Sequence, residues 1–225
     1  MITVYAVRDF INALDLSSAV TAHSDNGTQT TITVGNVFHS RAGLVVDIDG
    51  ADYTVISVEY DTNTLIVEGL IADPLLLTVP IPYFFHGTFM KLNNELDEVL
   101  SIDDKVPMFY LHEVIREKKH NPTFSGLDRT SDIRLFLMDK SPENGDTTAN
   151  QYADIIVPLS RLADYFTSQL YTAYQFGDID DIEQVNHVEW GTYQDSKGHL
   201  KRFFDANLTG IAFSFALPIL ICCND

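Results

Sequence analysis

The sequence predicts an α+β chain: a strand-forming body with one short and one long helix, interrupted by an inserted small β-barrel or sandwich lobe. Three features point there. Apolar residues recur at three- and four-residue steps near the start and again over 152–171, the spacing of helices with one buried face. Between residues 30 and 79 the step becomes two, the spacing of half-buried strands. Strands and helices also come in runs instead of steady βα alternation, which favours α+β.

The opening helix is expected over residues 4–14, where Val4, Val7, Phe10, Ile11 and Leu14 make one apolar stripe. Ser, Thr, Asp, Asn and Gly break the pattern over 17–29. A β-meander of four or five short strands follows. Thr31, Ile32, Thr33 and Val34 alternate, and so do Leu44, Val46 and Ile48 against Val45, Asp47 and Asp49. Asp49-Gly50 is a hairpin turn signal leading into a strand over 53–60, and residues 61–63 turn the chain into 64–68. Pro80 and Pro82, followed by Tyr83, Phe84 and Phe85, mark a junction where no regular central strand can run. The expected division is therefore a body of residues 1–17 and 81–225 with an inserted β-meander lobe over 18–80.

Beyond the junction, residues 106–115 read as an apolar strand and 116–129 as a charged loop with Pro and Gly. Ile133, Leu135 and Leu137 alternate with Arg134, Phe136 and Met138, which predicts another strand. Residues 140–150 form a polar loop. The long helix over 152–171 carries Ile155, Leu159, Leu162, Phe166 and Leu170 on one face, with Pro158 bending it or sitting in its first turn. Strands over 185–193 and 208–220 complete the order. In the last, Ile211, Phe213, Phe215 and Leu217 alternate with Ala212, Ser214 and Ala216, a small-residue face suited to close packing.

Charge narrows the function classes. Fourteen Lys and Arg against 32 Asp and Glu give a net charge of −18. Such a surface repels phosphate and disfavours nucleic-acid or membrane binding. It would also suit a conduit wall past which DNA slides. The first residues lack the basic segment and apolar run of a secretory signal, and no stretch reaches the roughly 20 apolar residues of a membrane span. A cytosol-like compartment is the expectation. The two cysteines, Cys222 and Cys223, are adjacent and are expected as free thiols.

Catalytic chemistry finds little footing. There is no G-x-S-x-G elbow and no Gly-rich loop opening a helix. His23, His39, His86, His112, His120, His187 and His199 are scattered without ligand spacing, so no metal or cofactor is expected. Asp178, Asp180 and Asp181 are dense enough to suggest calcium but lack the glycine and closing glutamate of an EF-hand. Glu95, Asp97, Glu98, Asp103 and Asp104 read as solvent-facing charge. The run from Tyr83 to Phe85 reads as core or subunit contact.

Several stretches resemble the neck proteins of tailed bacteriophages, of the tail-terminator or tail-completion type. They are 33–39 (TVGNVFH), 43–50 (GLVVDIDG), 82–88 (PYFFHGT), 105–111 (KVPMFYL), 207–213 (NLTGIAF) and the helix over 152–166. The resemblance implies a mixed-sheet, non-enzymatic virion subunit assembled in the host cytoplasm. It implies a six- or twelvefold ring between capsid or portal and tail, with DNA passing through unbound and no cofactor. The β-meander is an addition to a compact terminator fold. Head-to-tail contacts are expected from loops 116–129 and 140–150 and from the apolar segment after Leu217. The residues expected there are Arg116, Lys118, Arg129, Lys140, Glu143, Ile219 and Ile221. Two other readings compete: a tail-hub or receptor- or carbohydrate-binding tail component, with Tyr53 and Tyr60 as platform, and an enzyme using acidic residues in a pocket.

Overall fold

The computed structural model describes residues 2–97, 105–113, 115–121, 127–141, 148–173, 176–190, 192–194, 200–202 and 207–220. Helix α1 (Ile2–Asn12) leads into six strands: β1 (Ser17–Asp25), β2 (Gln29–Val34), β3 (Val45–Ile48), β4 (Ala51–Glu59), β5 (Thr64–Glu68) and β6 (Leu76–Thr78). They close into an antiparallel barrel in the order β1-β2-β5-β4-β3-β6. Two strands turn corners to close it. β1 pairs with β6 through residues 17–19 and with β2 through 20–25, and a register shift between Val20 and Ala22 supplies the bend. β4 does the same between β3 and β5, with its shift between Val55 and Ser57. Closure leaves the lobe without an edge strand.

Asp49 and Gly50 both have positive φ, 54° and 87°, making the two-residue turn whose twist suits the β3–β4 hairpin. Inside, Ile32, Val46, Ile48, Val55, Leu65, Val67 and Leu77 are each at most 1% exposed. The expected break over 17–29 is in fact mostly β1. Its residues 21–25 are all exposed and four of the five are polar, so it carries no apolar period to read.

The remaining elements are β7 (Tyr83–Gly87), α2 (Phe89–Asp97), β8 (Met108–His112), β9 (Arg116–Lys119), β10 (Leu127–Lys140), α3 (Val157–Thr172), β11 (Glu183–Trp190), β12 (Thr192–Gln194), β13 (Leu200–Arg202) and β14 (Leu208–Leu220). The main sheet runs β11-β14-β10-β8-β7, with β9 against the first half of β10; β12 and β13 form a separate hairpin. Only β7 and β8 run parallel among these pairs, so the sheet is mixed. Among the described residues no strand is shared with the barrel.

Two expectations need correction here. Helix α2 lies in a segment where the sequence suggested only solvent-facing charge, because Leu92 and Leu96 supply its buried face almost alone. The expected loop over 116–129 is partly a hairpin: β9 pairs with residues 129–132, and its sequence REKK lies wholly exposed at an edge.

The long helix accommodates Pro158 by local widening. An α-turn (Thr148–Gln151) and a π-helical segment (Tyr152–Ile156) precede α3. There the Val157 N–H reaches back five residues to the Tyr152 carbonyl. Pro158 then occupies the first turn of α3, where its missing donor costs least.

α1 and α3 cover one face of the main sheet. Phe166 of α3 meets Phe10, Phe109 and Phe213 at ring-centre distances of 5.7, 5.2 and 5.6 Å. This core continues through Val37 and Phe38 into the barrel interior. The inserted lobe thus has its own closed sheet but shares one apolar core with the body.

Candidate functional site

Among the described residues, the second face of the main sheet is covered only in part. α2 lays Leu92 and Leu96 over Met108, Tyr110, Phe136, Met138 and Leu208. Beside them Trp190 packs on Phe136 at 4.6 Å, while Phe89 meets Trp190 at 5.4 Å and His112 at 4.6 Å. Phe89 is 42% and Met90 79% exposed, so this aromatic cluster reaches the surface. The buried Tyr110 hydroxyl donates to the Gly87 carbonyl at 2.8 Å, and burial pushes its ionisation well above the ordinary range.

Past the aromatics the face opens into a groove. One part, about 290 Å³, is lined by Phe89, Phe136, Val185, His187 and Trp190. The other, about 530 Å³, is lined by His112, Arg116 and Asp132. Arg134, Glu183 and Ser214 line both, so the two are continuous. Burial, and then Arg134, holds His112 below the usual imidazole value. At the rim, β11 pairs only with β14 among the described residues, and its Val185 is 42% exposed.

The expected interface residues divide sharply. Arg116 and Lys118 are exposed on β9, facing the groove side with their partners Asp132 and Thr130. Arg129 is turned inward, 9% exposed, and its Nη1 donates to Glu117 Oε2 at 3.1 Å. Glu117 also accepts from Thr3 Oγ1 at 2.5 Å; that bond, more than Arg129, holds its carboxyl below the usual range against partial burial. Lys140 is half-buried at the far end of β10. Ile219 is 5% exposed, and Leu217 is fully buried. The apolar run after Leu217 therefore needs no neighbour to cover it as far as Leu220: it is the end of β14, paired with β10 and bridged by Phe176. Glu143, Ile221, Cys222 and Cys223 lie outside the described residues.

A second polar cluster joins barrel to body. Arg41 Nη2 donates to Asp139 Oδ1 at 3.0 Å; its Nε lies 2.8 Å from Oδ2 but is not aligned to donate, so that contact is electrostatic. Arg161 of α3 donates to the Tyr60 carbonyl at 2.9 Å, and the Tyr60 hydroxyl donates to the Ser40 carbonyl at 2.9 Å. The Tyr165 hydroxyl donates to the Asp15 carbonyl at 2.7 Å, and its ring meets Phe38 at 5.1 Å. Tyr60 is therefore a junction residue, its hydroxyl held protonated chiefly by burial. Tyr53 is half-buried and packed on the core, so these two residues make no exposed platform.

His39 sits at this junction, 1% exposed, on the wall of a cleft of about 720 Å³ that Val45, Pro80, Ile81, Pro82, Tyr83 and Pro107 also line. Neither ring nitrogen has a hydrogen-bond partner. The Pro80 carbonyl lies close enough to favour the charged ring slightly but is not aligned as an acceptor. Burial, reinforced by Arg41, pushes the imidazole down to about 3.

Removing Arg41 leaves Asp139, with a side chain only 3% exposed, as a poorly compensated buried charge. Arg41→Ala should cost about 2 kcal/mol, discounted because Arg41 is itself a third exposed. Urea unfolding checks this, and Asp139→Asn combined with it should recover part of the loss.

No group of three His, Cys, Asp or Glu residues able to hold a metal occurs among the described residues. Asp178, Asp180 and Asp181 are exposed. Glu95 accepts from the Tyr83 hydroxyl at 2.8 Å and pairs with Lys105 at 3.3 Å, so it is partly structural. Glu98, Asp103, Asp104 and His199 lie outside the described residues. Sequence spacing gave no sign of the aromatic cluster, because Phe89, Tyr110, Phe136 and Trp190 come from four separate elements. The lone Trp190 was the one available hint. Among the described residues no helix is long and apolar enough to cross a membrane. No family model, no curated protein and no solved structure matches this chain.

Proposed function

We propose that this chain is a structural ring subunit of a tailed-phage neck, joining capsid or portal to tail and letting DNA pass. The observation that supports it best is the unlikeness of its two ends. Among the described residues, one end offers a half-covered sheet face rimmed by β11, which pairs only with β14; the other is a closed barrel with no edge. Two unlike surfaces on one chain make heterologous contacts, and these close into rings when the rotation allows. The net charge of −18 fits a bore that DNA slides through without sticking. The partners in this reading are further copies in a six- or twelvefold ring and the neighbouring portal, neck or tail proteins.

The test is imaging of virion-derived neck complexes by negative-stain microscopy, with mass measurement of the isolated particle. Multiple copies around a single axis are the expected result. One copy per particle, or absence from virions, would end this reading.

A further inference from the structure

The cleft at the junction of barrel and body contains a polar group that the fold leaves without a partner. Among the described residues, buried side-chain atoms lacking a hydrogen bond gather on three consecutive residues. They are both ring nitrogens of His39, Ser40 Oγ and Arg41 Nε. An unpaired buried polar atom destabilises a fold, so such a cluster calls for an explanation. His39 and Arg41 both line the cleft of about 720 Å³.

The rest of the lining is stiff and mostly apolar. Pro80, Pro82 and Pro107 fix its backbone, and Val45 and Ile81 add exposed aliphatic surface. The Tyr83 N–H donates to the Pro107 carbonyl at 3.1 Å, and the Tyr83 hydroxyl donates to Glu95. These bonds tie the segments around the cleft together. A preformed apolar cavity of this size with a few convergent polar groups is the usual form of a small-molecule site.

Charge and proton placement restrict the ligand. Arg41 is already engaged with Asp139, and the exposed Asp52 shares the lining, so an anion gains no net attraction there. A cation beside His39 would meet the field of Arg41, which works with burial to keep the imidazole neutral. The ligand is therefore uncharged. A neutral imidazole carries one proton, and the Pro80 carbonyl beside the ring favours the nitrogen nearer to it. The other nitrogen is then an acceptor that no donor meets.

We propose that this cleft binds an uncharged aromatic molecule with one N–H or O–H, which donates to the unpaired nitrogen of His39. An aromatic ring brings a large apolar contact at little cost in rotational freedom, and a buried donor on it needs the partner that His39 supplies. The site is independent of the ring reading, since it takes a small molecule whether or not the chain assembles.

The test uses indole and benzofuran, which share a shape but place an N–H donor and an oxygen acceptor at the same ring position. Isothermal titration of the full chain at neutral pH should give indole a Kd of roughly 1 mM or below, reasonable for so small a ligand. Benzofuran should bind at least fivefold more weakly. His39→Leu should bind the two alike. Val45→Trp, at an exposed position of the lining, should fill the cleft and weaken indole at least tenfold. In the native chain the ring nitrogens of His39 should shift in heteronuclear NMR when indole is added, which checks the contact without any substitution. Indole that fails to bind at about 10 mM would overturn the proposal. So would equal affinity for both probes in the native chain, a preference that survives in His39→Leu, or binding untouched by Val45→Trp.

Discussion

Gly210→Ala should destabilise the protein by about 3 kcal/mol or more, and lower its thermal midpoint by about 10 °C for a chain of this size. Gly210 pairs with Met138 in the middle of the main sheet, between the two longest strands. A Cβ there would lie 2.8 Å from the Met138 Cα and 3.0 Å from the Leu137 carbonyl carbon. Those are backbone atoms, so no side-chain rotation relieves the overlap, and β10 and β14 must part or slide. The apolar residues on either side, Phe213 against Leu135 and Ile211 against Leu137, would lose their register with them. Thermal unfolding followed by circular dichroism checks this; a midpoint within about 2 °C of native would show that the strands absorb a methyl group.

Acid should weaken the junction through His39. Its imidazole titrates near 3 in the folded chain, against 6.5 when exposed. Above pH 6.5 both states are neutral and the full stability is present. Below it the unfolded chain binds a proton that the folded one refuses, so stability falls as pH drops, by about 1.4 kcal/mol per unit until the folded value near 3 is reached. By pH 4 the loss from this one residue is about 3 kcal/mol. Carboxylates such as Glu117 add an acid loss of their own, so the diagnostic is a difference between chains. His39→Leu removes a buried imidazole without hydrogen-bond partners, and should be close to neutral at pH 7 and markedly more stable than native at pH 4. Equal pH dependence in urea unfolding of the two chains would show that another group controls the junction.

Much of this fold was legible where burial imposes a period. β10 and β14 alternate cleanly because one face is packed beneath α1 and α3 while the other is only half covered. Asp49-Gly50 announced its turn because few other pairs tolerate two successive positive φ values. β1 and β9 were illegible for the opposite reason: exposed along most of their length, they are held by backbone pairing that any sequence can make. α2 hides because its buried face needs little more than Leu92 and Leu96. The expected interface set was read from charge and apolarity along the chain, which cannot tell Arg116, facing water, from Arg129, turned inward to Glu117. The aromatic cluster and the Arg41–Asp139 pair are products of topology, with partners 98 residues apart in the second case. Local pattern carries no trace of either.

The pairing pattern also orders events on the ribosome. Every pairing in the barrel joins residues within 17–78, so it can close as soon as that segment has emerged. β14, which sits between β10 and β11, follows about 130 residues later, roughly ten seconds at ordinary elongation rates. Between the end of β10 at residue 140 and the start of β14 at residue 208, about half of that interval, β10 presents an unpaired edge and the bare side chains of Leu135 and Leu137. The nascent chain is therefore most exposed to misassembly in its second half. A chaperone that holds the unfinished sheet would raise the soluble yield, while the closed barrel ahead of it needs no such protection.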